Sequence, residues 1–103
     1  MRLGIQPAVI ENQANKLGVQ FVFAELDMAL SFLSIADNIS SPDRRQRLIA
    51  NAKKAHDTVQ KFIPHLVFSE SEASTVNRRL QQIRDRLQSH GFSFEGYSAL
   101  AGY

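Results

Sequence analysis

The chain contains no cysteine and no tryptophan, and only three prolines and five glycines among its 103 residues. Without thiols, disulfides, cysteine-based zinc sites, iron–sulfur clusters and thiol nucleophiles are all excluded. A cysteine-free chain also fits a cytoplasmic address. The scattered glycines form no phosphate-cradling cluster. The three histidines, 56, 65 and 90, are never four apart, and no Glu-x-x-His or His-Glu-x-x-His pattern occurs. The chain therefore lacks the ligand spacing of di-iron bundles and zinc hydrolases. No serine sits in a nucleophile elbow. These absences leave no expected catalytic residue, metal site or cofactor, and they point to a non-enzyme. The first eighteen residues lack a continuous apolar run of signal-peptide type. Phe21–Ala36 is interrupted by Glu25 and Asp27 and is too short to span a bilayer, so no membrane partner is expected.

What the chain does contain is helical periodicity. Its most apolar stretch, Val19–Ile39, places Val19, Val22, Leu26, Ala29, Leu33 and Ala36 at alternating steps of three and four, one stripe of a helix. Asp27, Ser31, Ser34 and Asn38 gather in a narrow polar strip, leaving most of the circumference apolar. A helix of this kind must be covered on several sides. Residues 1–18 read either as a short helix from Pro7 to Leu17 capped by Gly18 or as a frayed arm.

Ser40-Ser41-Pro42-Asp43 predicts a helix start, with Ser41 as N-cap and Pro42 at the first helical position. The second helix runs to about Ile63 on Leu48, Ala52, Ala55, Val59 and Phe62, with Ile49 and Ile63 at the edge. Its alanines permit close helix approach, and Pro64 sets the stop. Ser69 and Glu72 form a capping box ahead of a third helix on Ala73, Val76, Leu80, Ile83 and Leu87. That helix reaches about His90, with Gly91 as the C′ residue and Phe92 folding back. The tail FSFEGYSALAGY has four aromatics and no helical period, and reads as a disordered end or a strap packed on the bundle. Short connections between long helices imply antiparallel neighbours. The expected fold is all-α, an up-down-up three-helix bundle in one domain, with a core over about 19–91, an N-terminal arm or helix over 1–18 and an aromatic tail over 92–103.

Net charge is +2, concentrated in the middle. Residues 42–68 carry Arg44, Arg45, Arg47, Lys53, Lys54 and Lys61 against Asp43 and Asp57. These cations read as spread around the polar side, not as one ridge, so binding of nucleic acid or an anionic surface through the second helix ranks behind a protein partner.

The second-helix segment NAKKAHDTVQKFI resembles helix B of a tetratricopeptide repeat, or the middle helix of a microtubule-interacting-and-trafficking domain, through Ala52, Ala55 and Phe62. The Trp and Leu-Gly of a tetratricopeptide helix A are missing from the first helix, and a single hairpin is not an array. The resemblance therefore implies no function and no binding residue.

Surplus apolar surface is the main functional signal. Beside the core stripe, the first helix carries Phe21, Met28, Phe32, Ile35 and Ile39 on one flank and Phe23 and Leu30 on another. Two helices cover about two-thirds of its circumference, leaving the arm, the tail or a second chain to cover the rest. The expected function is a small interaction module whose partner is a second copy or another protein; no small-molecule substrate is identified. Glu25 interrupts the apolar flank. Facing residues of the hairpin sum to about 81 on a 1.5 Å rise, which puts Glu25 opposite His56. A register-fixing Glu25–His56 pair is expected, with the histidine pKa raised.

Overall fold

Local chemistry sets each helix boundary in the computed structural model, which describes residues 7–94, with side chains from residue 12 onward. Helix α1 spans Pro7–Asp37, α2 spans Pro42–Phe62 and α3 spans Glu70–Gln88, with a 3₁₀ turn at Ile63–His65 between the last two. The Ser41 hydroxyl accepts from the Arg44 amide at 3.4 Å, ahead of Pro42. Ser69 and Glu72 exchange side-chain and backbone hydrogen bonds at 2.8 and 3.1 Å, completing the capping box. At the far end Gly91 adopts φ +98°, and Phe92 N–H donates to the Leu87 carbonyl while Gly91 N–H donates to Gln88. That pair of bonds is a Schellman motif, and it uses the one described glycine whose backbone demands the absence of a Cβ.

The buried stripes match the periodic ones. Val19, Val22, Leu26, Ala29, Leu33 and Ala36 of α1 are all buried, as are Ala73, Val76, Leu80, Ile83 and Leu87 of α3. On α2 the buried set is Ile49, Ala52, Ala55, His56 and Val59. The α2 stripe is therefore rotated slightly from expectation: Ile49 enters the core, Leu48 is half-buried and Phe62 is 41% exposed. Ion pairs Asp27–Arg79 and Asp37–Arg86 ascend together along α1 and α3, so these helices run parallel and α2 runs against both. The architecture is an antiparallel three-helix bundle.

Residues 7–18 are the continuation of α1, not a separate arm. Gly18 does not cap a helix; it lies within one, and its lack of a side chain admits Leu66, into which a Cβ would run. The connector is held there by Asn15, whose side-chain amide donates to the Val67 carbonyl at 2.8 Å while its oxygen accepts from the Val67 N–H at 2.7 Å. The first two turns of α1 continue past this crossing. One further consequence is that Asn12–Asp37, 26 residues, is long and apolar enough to cross a membrane by length and composition, contrary to the estimate from Phe21–Ala36. Its core stripe is spent on α2 and α3 instead.

Asn15→Ala removes both bonds to Val67 and should lower stability by about 1–3 kcal/mol in denaturant titration, at roughly 0.5–1.5 kcal/mol per bond. An unchanged midpoint would show that the connector docks through Leu66 alone.

Candidate functional site

Two features of the described residues invite a functional reading: a buried polar cluster between α2 and α3, and an exposed apolar stripe on α1. The cluster is built on α2, where Lys53, His56 and Asp57 fall within one turn. His56 is fully buried and Arg84 of α3 is 8% exposed. Arg84 Nε–H donates to His56 Nε2 at 3.0 Å, and His56 Nδ1 lies 2.9 Å from an Asp57 oxygen. The carboxylate can only accept, and the guanidinium can only donate. The ring is therefore the neutral tautomer with its proton on Nδ1. Lys53 Nζ sits 2.6 Å from the other Asp57 oxygen. The Phe94 ring meets His56 edge-on at 4.8 Å, and the Lys53 ammonium lies over Phe92 and Phe94 at 5.9 and 5.8 Å.

This arrangement contradicts the expected Glu25–His56 pair, because both ring nitrogens are engaged elsewhere. Glu25 makes no hydrogen bond or ion pair among the described residues. The register count was sound: Glu25 lines an open groove of about 290 Å³ with Met28, Phe32, Asn51, Lys54, Ala55 and Thr58. It failed on azimuth, since residue 56 lies about 100° around the helix from 55 and faces α3. The direction of the pKa shift reverses with it. Burial, with the charges of Arg84 and Lys53, lowers the His56 pKa more than the Asp57 contact raises it. Burial alone would raise the Asp57 carboxyl, but the hydrogen bonds from Lys53 and His56 hold it below the ordinary range.

An aspartate–histidine pair resembles the orienting half of a catalytic triad, but here Nε2 is taken by Arg84 and no surface of the ring meets solvent. A general base needs that nitrogen within reach of substrate. The cluster instead joins α2 to α3 and seats Phe94, which is 7% exposed. The described part of the tail thus packs against α2 and its histidine rather than over the surplus face of α1. Tyr97 and Tyr103 lie outside the described residues. Among the described residues no three of His, Asp and Glu gather as metal ligands.

The α1 surface is different in kind. Phe21, Met28 and Ile35 are 38, 44 and 49% exposed, while Phe32 and Ile39 are half-buried beside them. The other flank is already occupied: Phe23 and Leu30 pack against the core, and the Arg79 guanidinium lies 5.4 Å from the Phe23 ring. Three exposed side chains were missed by the sequence reading, Leu17, Phe62 and Val67. Phe62 stacks at a tilt on Phe21, with centroids 4.9 Å apart, extending the apolar surface onto α2. Leu17 was legible, because Leu17, Phe21, Ala24, Met28, Ser31 and Ile35 continue one alternation of four and three, and all six are exposed. The basic side chains of α2 also order more than expected. Arg47, Lys54 and Lys61, seven apart and exposed, share one ridge beside this stripe. Arg45 instead bonds the Ile39 carbonyl at 2.6 Å.

No known protein family, curated protein or solved structure matches the chain.

The buried imidazole fixes a pH dependence. The unfolded chain takes up a proton near the ordinary imidazole value of about 6.5, whereas the folded chain resists until lower pH. His56 therefore leaves stability intact above about 6.5 and removes it as pH falls through that value, levelling off below the folded pKa. Unfolding free energy measured from about pH 8 to pH 5 should fall toward acid, and the His56→Ala variant should lose that component whatever its own offset. Stability rising toward acid in the wild type would mean that the ring is charged when folded.

Proposed function

We propose that this protein is a small, non-catalytic helical interaction module that self-associates through the exposed apolar stripe of α1. The observation that carries the reading is the row of Leu17, Phe21, Met28 and Ile35, all 38–66% exposed on one line of one helix, with Phe62 beside it. Isolated exposed apolar residues are ordinary, but a contiguous row rimmed by polar side chains marks an interaction site. Absence of thiols and an ordinary charge content fit a cytoplasmic protein, and the address is part of the proposal.

A second reading has one observation in its favour. The Arg47–Lys54–Lys61 ridge presents positive charge along α2, next to an open groove of about 330 Å³ that Arg44, Arg47, Leu48 and Ile35 help to line. Binding of nucleic acid or an anionic surface there would weaken steeply with added salt.

Sedimentation equilibrium over a concentration series should show reversible association of the wild type. The Met28→Lys variant should stay monomeric with unchanged helix content, because Met28 is 44% exposed and no core contact is lost. A wild type that remains strictly monomeric at the highest concentrations would overturn the proposal.

A further inference from the structure

The geometry points to one occupant for the stripe: the α1 helix of a second copy, lying antiparallel, with paired positions summing to 45. This rests on the self-association reading and specifies it.

The stripe is a heptad seam. Ala14, Phe21, Met28 and Ile35 repeat at seven, and Leu17, Ala24 and Ser31 repeat at seven between them, all exposed. Such spacing is what a second helix reads in a coiled coil. The sizes then decide orientation. In a parallel pair each layer meets its own kind: Phe21 on Phe21 is overfilled, and Ala24 on Ala24 is empty. In an antiparallel pair the two series face each other, so Phe21 lies on Ala24 of the copy and Leu17 on Met28 of the copy, each twice by the two-fold axis. Phe21 thus meets a small side chain and avoids its own copy, Leu17 and Met28 fill the next layer, and Ala14 lies on Ser31 at the thinner ends.

Charge decides the register. The next register along sets Met28 on Ala24 and brings Glu25 nearly opposite Glu25 of the copy. At a sum of 45, Glu25 faces residue 20 instead, toward the end of the copy where Phe62 stacks on Phe21 and Lys61 precedes it. The two Glu25 side chains are then five residues apart along the pair, about 7 Å, which relieves the like-charge contact.

Length agrees with both. In this register α1 overlaps its copy from residue 8 to residue 37, about 45 Å at 1.5 Å per residue. The first two turns, which outrun the bundle beyond Asn15, lie along the copy's residues 31–38. A strip of that length and one helix diameter, about 10 Å, gives a footprint on the order of 450 Å² per copy. Phe62 and the groove by Ile39 and Leu48 extend it toward the roughly 800 Å² of an ordinary specific interface.

The cysteine-free sequence allows a clean test. Under mild oxidation, a mixture of the Leu17→Cys and Met28→Cys proteins should form the mixed disulfide, and neither should cross-link alone. Positions 17 and 17 are eleven residues apart along this pair, about 16 Å, whereas a disulfide needs Cα atoms within about 7 Å. To leave the seam untouched, a spin label on Gln13→Cys should report a distance of about 30 Å between copies, from nineteen residues of offset and one interhelical spacing. Cross-linking of either variant alone, or a short label distance, would show a parallel pair or another register and overturn this inference. Association without the mixed disulfide and without the 30 Å distance would place the contact elsewhere, overturning the inference while leaving self-association standing. A strictly monomeric wild type would overturn both.

Discussion

The structure depends on one constraint: α1 is apolar around most of its circumference and has to be covered. Six side chains from Val19 to Ala36 take the buried stripe, and α2 and α3 close over it. Small residues make the closure possible. Ala29 and Ala36 on α1, Ala52 and Ala55 on α2 and Ala73 on α3 are all buried, so backbones approach closely at the points where the helices cross. Each fully buried Leu or Val contributes roughly 1.5–3 kcal/mol, whereas the surface pairs Asp27–Arg79 and Asp37–Arg86 add little, being exposed on the carboxylate side. The bundle is held by its seam and only oriented by its ion pairs.

The polar cluster answers a different need. Apolar stripes specify that helices meet but leave their sliding and rotation weakly determined. A buried imidazole joined to Arg84 on one nitrogen and Asp57 on the other has a single satisfactory placement. Displacing α3 along α2 by one turn would separate Arg84 from His56 and leave polar atoms buried without their partners, which costs more than the pair returns in net stability. The same groups position Phe94, so the cluster ties the chain beyond α3 back to the middle of α2. Its geometry is that of a fastening. A nitrogen that is fully covered and already accepting a hydrogen bond has no proton to exchange with a ligand.

Much of this was legible in the sequence, and the failures have specific causes. Caps and stops were read correctly because they rest on local chemistry: Ser41 before Pro42, Ser69 with Glu72, and Gly91 before Phe92 each satisfy their own backbone groups. The buried stripes of α1 and α3 followed from period alone. Gly18 misled because glycine is both a helix terminator and a site of close approach, and only the position of Leu66 distinguishes them. Once α1 is continuous, its length changes, and with it the estimate of what it could span. His56 was placed at the right height and on the wrong side, since counting residues along two helices fixes register but not azimuth. Arg84 escaped notice for a related reason: a long polar side chain in the charged run of α3 gives no sign that it turns inward to a histidine 28 residues earlier.

These errors share a direction that bears on the exposed stripe. Sequence pattern counts apolar positions and underestimates how efficiently a chain uses them. Arg79 of the third helix covers Phe23, Leu30 packs partly into the core, the connector covers the end of the core stripe at Gly18, and the described tail covers His56. Among the described residues, α3, the connector and residues 92–94 thereby pack on sides of the bundle other than the one bearing Leu17, Phe21, Met28 and Ile35, and only α2 borders that line. Phe62 approaches that line but remains 41% exposed itself, so it widens the apolar surface rather than closing it. The exposed row Leu17, Phe21, Ala24, Met28, Ser31 and Ile35 keeps the alternation of four and three through this packing. The buried stripe of α1 and its exposed row thus share one spacing, alternating steps of three and four with small residues among large, and differ in that α2 and α3 close over only the first.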